Sequence, residues 1–394
     1  MDPRCNPYAP GAGTPPPELA GRDEVIERAS IALDRIRAGR AARSVILYGL
    51  HGVGKTVLLQ RIRAIAERQG FVPVAIEAPE ERSLPSMLVP ALRSTLIGLS
   101  RGEAAKSGLK KAFGALASFA RAAKRKYGDV EFNVDFDIQA GLADSGNLEN
   151  DLKDLLVSAG EAAAERDTAV VLFIDEMQYI RETELAALIS AFHAANQKQV
   201  PITMVAAGLP QLLGQMGRAK SYAERLFEFV PIGPLDNEAA SRALRIPARN
   251  EGAEFEAEGI EEIIARTEGY PYFLQEWGKH AWSTARSSPI TLEDVVRASN
   301  VALAELDASF FRVRFDRLTP AEKRYMRAMA ELGPGPHRSG DIADQLGKKI
   351  SVVAPVRGRL IQKGMVYSPA HGDTSFTVPL FDGFMKRIMP ELLQ

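Results

Sequence analysis

The run Gly49-Leu50-His51-Gly52-Val53-Gly54-Lys55-Thr56 joins glycines, a lysine and a hydroxyl at a spacing suited to phosphate. Glycines let consecutive backbone N–H groups turn inward towards phosphate oxygens, and a helix opening at the lysine adds the positive end of its dipole. In that arrangement Lys55 reaches the β- and γ-phosphates of a nucleotide and the Thr56 hydroxyl is a Mg²⁺ ligand. Leu50, His51, Gly52 and Val53 complete the cradle and Val57 follows it; the His51 side chain occupies a variable position and is assigned no chemistry.

A second run, Val170-Val171-Leu172-Phe173-Ile174-Asp175-Glu176, is an apolar strand ending in two acids, at the edge where α/β sheets bind ligands. Asp175 is the natural partner of Mg²⁺, and Glu176 is placed to polarise a water attacking the γ-phosphate. An adjacent glutamate of this kind points to ATP hydrolysis rather than phosphoryl transfer to a small molecule.

These residues need a scaffold, and the hydrophobic pattern supplies one. Ser44–Tyr48 reads as a strand leading into the glycine loop, and Leu58, Leu59, Ile62 and Ala66 follow at helical spacing until Gly70. Phe71–Glu77 reads as a strand whose Pro73 cannot donate to a ladder, which argues for a sheet edge. Helix Leu148–Arg166, strand Ala169–Ile174, helix Glu182–Gln197, strand Pro201–Ala206 and strand Leu226–Ile232 complete an α/β alternation. Such alternation predicts a parallel sheet covered on both faces. Residues from about 83 to 150 interrupt it and are read as an insertion. They include a basic helix over Lys106–Lys126 and an alternating strand over Asp129–Gln139. The charges of the insertion read as a solvated face or as a partner or DNA contact.

With 394 residues the chain is too long for one core. Its formal net charge of -1 excludes an overall basic field, so any DNA-binding surface is local. The single cysteine, Cys5, excludes an internal disulfide framework and fits a reducing compartment. No apolar run approaches the ~18 residues of a membrane helix. A cytoplasmic protein with no membrane association is expected. Residues 1–17, rich in Pro and Gly, are expected to form a flexible tail.

With both runs and their strands in place, the chain resembles the AAA+ ATPases. More narrowly it is similar to the branch of archaeal-type ATPases and origin-recognition initiators, with features of the signalling ATPases called STAND. The resemblance rests on Gly21-Arg22-Asp23, the glycine loop, Asp175-Glu176-Met177-Gln178 and a helical segment after Asp236. It implies a five-stranded parallel P-loop sheet over 18–235, a helical lid over 236–306, and ATP with Mg²⁺ as ligands. It also implies that Arg22 lies beside the adenine, that Arg225 is a finger offered to ATP by a neighbouring subunit of a homo-oligomer, and that Pro271 of Gly269-Tyr270-Pro271 packs by the nucleotide. In the family the strand over 201–206 ends in a polar residue that senses the γ-phosphate. Here Ala207-Gly208-Leu209-Pro210 follows it, and Thr203 lies earlier on the strand.

The remaining unit, residues 307–394, shows helices over Pro320–Leu332 and Ser339–Leu346 and a third ending at Lys363-Gly364. Strands over Met365–Tyr367 and Ser375–Val378 follow. That order resembles a winged helix-turn-helix. If it binds double-stranded DNA, Arg357, Arg359 and Lys363 are the exposed basic residues of the third helix, and Lys348 and Lys349 meet phosphate from the preceding turn. Two functions follow. One is an ATPase driving a conformational or assembly switch on DNA; the other is a STAND-like signalling switch whose winged helix packs on the core or docks a protein.

Overall fold

The computed structural model describes residues 1–11, 13–78, 82–100, 107–127 and 141–392, which form two compact units. One comprises residues 23–48 and 55–231; the other comprises 1–22, 49–54 and 232–394.

The first unit is built on five parallel strands. Helix α1 (Asp23–Arg37) precedes β1 (Ser44–Tyr48); α2 (Lys55–Arg68) and β2 (Val72–Glu77) follow. Next come three helices, α3 (Leu84–Ser100), α4 (Ser107–Tyr127) and α5 (Leu148–Ala164), and then β3 (Val170–Asp175). The unit closes with α6 (Glu182–Gln197), β4 (Ile202–Gly208), α7 (Gln211–Ala219), the single turn α8 (Ala223–Leu226) and β5 (Phe227–Pro231). Sheet order is β2-β3-β4-β1-β5. The near-continuous apolar runs of β3 and β4 reflect this position: both are central and almost wholly buried. Among the described residues strand β2 lies at the edge and pairs only with β3, in keeping with the missing N–H of Pro73.

In the region expected to be an insertion the described residues form α3, α4 and the start of α5, with turns and bends over 141–147. Leu109, Ala112, Phe113, Leu116, Phe119 and Ala120 of α4 are buried, and α4 packs against α3 and α5 in the same core as the sheet. Its charges lie outward: Arg121, Lys124 and Arg125 are exposed, while Lys111 pairs with Glu161 at 2.7 Å. The expected strand over 129–139 lies outside the described residues.

The second unit begins its helical part with α9 (Asn237–Asn250), α10 (Ala257–Thr267), α11 (Pro271–Thr284), α12 (Leu292–Ala308) and α13 (Phe310–Asp316). It continues with α14 (Pro320–Leu332), β6 (His337–Arg338), α15 (Ser339–Gln345), α16 (Ile350–Gln362), β7 (Val366–Tyr367), β8 (Asp373–Phe376) and α17 (Phe381–Ile388). The three short strands form an antiparallel sheet in the order β6-β8-β7; β6 is too short to leave a periodic signal. Sequence chemistry sets the helix starts. Thr291 with Asp294, and Thr319 with Glu322, form capping boxes, and Pro271 and Pro320 occupy first-turn positions.

Segments 236–306 and 307–394, expected as separate domains, share one hydrophobic core. Phe273, Phe310, Phe311, Phe381 and Phe384 carry it across the 306/307 boundary in a run of ring contacts. The first residues also depart from the flexible tail expected of them. Tyr8 is 3% exposed, donates its hydroxyl to the Leu244 carbonyl and lies edge-on to Phe255. Asn6 donates to the Lys279 carbonyl at 2.9 Å, and Trp282 donates its indole N–H to the Asp2 carbonyl at 3.0 Å. An apolar ring with a polar tip fits here because Gly278 of α11 leaves room: an added Cβ would lie 2.7 Å from the Tyr8 ring.

Candidate nucleotide site

Helix α2 opens at Lys55, whose side chain is only 6% exposed. Burial pushes its ammonium below the usual lysine range, and the charges of Glu176 and Asp175 pull it back up. Both acids stand at the carboxyl end of β3, where Asp175 is in register with Glu77 of β2. A buried cation thus feels the charge of two carboxylates at the C-terminal edge of a parallel sheet, where such sheets bind ligands. Thr56, half-buried, lies in the same first turn of α2.

Glu176 sits at φ 51°, in the left-handed region. For a non-glycine residue such a conformation costs about 1–3 kcal/mol and is retained at functional sites. The backbone N–H of Glu176 donates to its neighbour Asp175 Oδ1 at 2.9 Å. Burial raises the Glu176 carboxyl above its ordinary range, partly offset by a hydrogen bond from Gln178 and by Lys55. Gln178 is 5% exposed; its Nε2 donates to Glu176 Oε2, and its Oε1 accepts the backbone N–H of Leu209 at 2.9 Å.

The end of β4 therefore meets a polar side chain, but one supplied from beyond β3. Thr203 does not serve there: it is buried near the start of β4 and its hydroxyl bonds Ser44 Oγ at 3.0 Å.

In the other unit, the loop Gly49–Gly54 is shaped by its neighbours there. A Cβ on Gly49 would lie 2.0 Å from the Ile232 carbonyl oxygen, so only glycine fits. Gly52 and Gly54 have φ of 80° and 87°. Tyr272 of α11 donates its backbone N–H to the Gly52 carbonyl at 3.1 Å, and its ring stacks on Phe310. The backbone N–H of His51 donates to the Thr377 carbonyl, just past β8, at 3.0 Å. One Arg22 guanidinium nitrogen donates to the Gly233 carbonyl at 2.5 Å and to the Val53 carbonyl at 3.3 Å. Pro271 opens α11, and the hydrogen bond to the loop comes from its neighbour Tyr272.

Arg225 is exposed in α8 and lines a groove of about 440 Å³ with Arg28, Arg35, Arg43, Asn196 and Glu228. Glu228 pairs with Arg28 at 3.5 Å, and no ion pair holds Arg225 among the described residues. Arg218 pairs with Glu182 at 3.2 Å.

Three of the five basic residues expected to face DNA are engaged inside their own module. Arg357 donates to Thr374 Oγ1 at 2.7 Å, Ser368 Oγ at 2.8 Å and the Asp373 carbonyl at 2.7 Å. Lys363 pairs with Glu322 at 2.8 Å, and Arg359 approaches the same carboxylate at 3.6 Å. Glu322 is fully buried, and a buried carboxylate needs such partners. Lys348 and Lys349 are exposed ahead of α16 and have no ion pair among the described residues.

Sequence reasoning missed Tyr272, Thr377 and Gln178 as neighbours of the functional residues. Gln178 stood in the same quoted run, two residues after Glu176, but its side-chain direction was not legible there. Thr377 carried no signal, because its backbone makes the contact.

Residues 18–205 match the AAA ATPase domain family, and residues 308–385 match a domain of unknown function, DUF8462. No curated protein matches the chain. Among solved structures, the Walker-type ATPase PABY2304 of Pyrococcus abyssi aligns with a TM-score of 0.60 at 16% identity, covering 95% of this chain and 97% of that one. The Aeropyrum pernix Orc1 protein in complex with DNA aligns with a TM-score of 0.47 at 16% identity over 94% of each chain. The Thermotoga maritima RuvB Holliday junction branch migration motor gives 0.47 at 17% identity, over 91% of this chain and 92% of that one. The match to the AAA ATPase domain family thus falls on residues 18–205, in a chain whose fold includes a sheet of five parallel strands.

Proposed function

We propose that the protein binds ATP with Mg²⁺ and hydrolyses it to drive a conformational switch. The observation that carries this reading is the buried Lys55 facing Asp175 and Glu176 at the carboxyl end of β3. Backbone N–H groups of the Gly49–Thr56 run take the phosphates, and Lys55 meets the β- and γ-phosphates. Thr56 and Asp175 offer the oxygen donors that suit Mg²⁺, which when bound neutralises charge on the phosphates. Glu176 orients and polarises the attacking water. Arg225, exposed and without an ion pair among the described residues, is suited to reach the ATP of a second copy.

ATPase assays and nucleotide binding test this directly. Glu176→Gln retains ATP binding and loses about 10²–10⁴-fold in kcat; turnover at the parent rate overturns the assignment. Lys55→Ala loses binding itself.

The output of the switch is inferred from the C-terminal module. Its helices and three-stranded antiparallel sheet support the winged-helix reading, and its Thr377 carbonyl accepts the His51 N–H of the Gly49–Thr56 loop. That contact supports a module that reads the nucleotide through the loop, in the manner of a signalling ATPase. The exposed pair Lys348 and Lys349 supports the second reading, action on double-stranded DNA. Binding to a duplex that weakens as salt rises and responds to ATP supports it, and no binding in either nucleotide state removes it.

A further inference from the structure

We infer that Gln178 is the positioning residue for the water-polarising Glu176, and that it ties this carboxylate to the end of β4. The inference rests on the hydrolytic reading above.

The geometry is specific. Gln178 follows β3 in a short 3₁₀ turn, Met177–Tyr179, and is 5% exposed. Its amide spans two groups: Nε2 donates to Glu176 Oε2, and Oε1 accepts the Leu209 N–H at 2.9 Å. A backbone N–H can only donate, so Leu209 fixes which end of the amide is oxygen and leaves the NH₂ facing Glu176. The backbone around it is held as well. Gln215 of α7 donates to the Gln178 carbonyl at 3.2 Å. Gly208 is glycine because a Cβ there would lie 2.9 Å from Gln178 Oε1 and 2.8 Å from a Leu212 methyl. The strand end that lacks a polar side chain of its own, Ala207-Gly208-Leu209, is thereby joined to Glu176 through one side chain.

The link has a mechanical meaning. Glu176 follows β3 on a left-handed backbone, and the Gln178 amide gives its carboxylate a directional hydrogen bond. Any shift of the β4 end reaches Glu176 through a single rigid amide. A general base displaced by about 1 Å loses on the order of 10²-fold in rate, without a matching change in substrate binding.

Two substitutions separate hydrogen bonding from packing. Gln178→Met keeps the buried volume and removes both hydrogen bonds. Gln178→Glu keeps the shape and places a second carboxylate against Glu176. Both variants are expected to melt cooperatively and to bind ATP within about threefold of the parent, while kcat falls about 10–100-fold. In the Glu176→Gln background, adding Gln178→Met is expected to change residual turnover by less than twofold, because a positioning residue acts only through its target. A role in packing alone predicts that Gln178→Met keeps the parent kcat, and that outcome overturns the inference. So does an equal further loss in the Glu176→Gln background. The parent assay keeps the two readings apart. If Glu176→Gln still turns over ATP, the hydrolytic assignment fails; if it does not, but Gln178→Met is fully active, only the positioning role fails.

Discussion

Gly49, Lys55 and Glu176 show how little freedom single positions have here. Gly49 cannot gain even a methyl group, because the Ile232 carbonyl lies 2.0 Å from where it would stand. Gly49→Ala is expected to lower the melting temperature and weaken ATP binding at least tenfold, measured by thermal denaturation and nucleotide titration; parent-like binding would mean the loop tolerates the shift. The residue types at these positions were legible in the sequence because phosphate chemistry demands them at fixed spacing. The left-handed backbone of Glu176 and the hydrogen bonds of Gln178 were not, since both depend on how the end of β3 meets the end of β4.

At the level of elements, the strands were read from burial on both faces and the edge position of β2 from one proline. Arg357 and Arg359 of α16 and Lys363 just after it were read as a surface, and the fold engages all three internally. Glu322, at the start of α14, explains this. Burial alone would raise its carboxyl, but the hydrogen bonds from Lys363 and Thr319 outweigh that and hold it below the usual 4.5. Its ionised form is thus favoured by folding, so this stability is present above pH 4.5 and lost as pH falls through the lowered folded value. Glu322→Gln is expected to cost about 1.5–3 kcal/mol at pH 7 and to flatten the acid limb of stability, read by urea unfolding at several pH values. A variant as stable as the parent would show that Lys363 and Arg359 find water equally good. In the same unit, Tyr8→Ala removes a ring packed beside Gly278 and is expected to cost about 3–5 kcal/mol by the same measurement. A loss below 1 kcal/mol would restore the flexible tail.

At the scale of the whole molecule, the chain divides into a sheet unit and a unit that joins the first residues, the nucleotide loop, the helices after Asn237 and the C-terminal module. The contact of His51 with Thr377 makes a readable signal within the second of these. Hydrogen exchange of the peptides carrying His51 and Thr377 is expected to differ between ADP-bound protein and ATP-bound Glu176→Gln protein. Equal protection in both states would detach the C-terminal module from nucleotide reading. Among the described residues no helix is long and apolar enough to cross a membrane.

By itself the sequence determined the strand and helix alternation and the edge of the sheet, and it carried the proposal of nucleotide chemistry. Each of these depends on local spacing, on backbone donors or on period, which adjacent residues encode. Tertiary structure alone decided that the first residues pack on α11, that segments 236–306 and 307–394 share a core, and that most of the basic face of α16 is spent on Glu322 and the β8 hairpin. It alone joined Gln178 to both Glu176 and Leu209, because a hydrogen bond between residues 31 positions apart is fixed by the packing of strands and leaves no periodic trace in the chain.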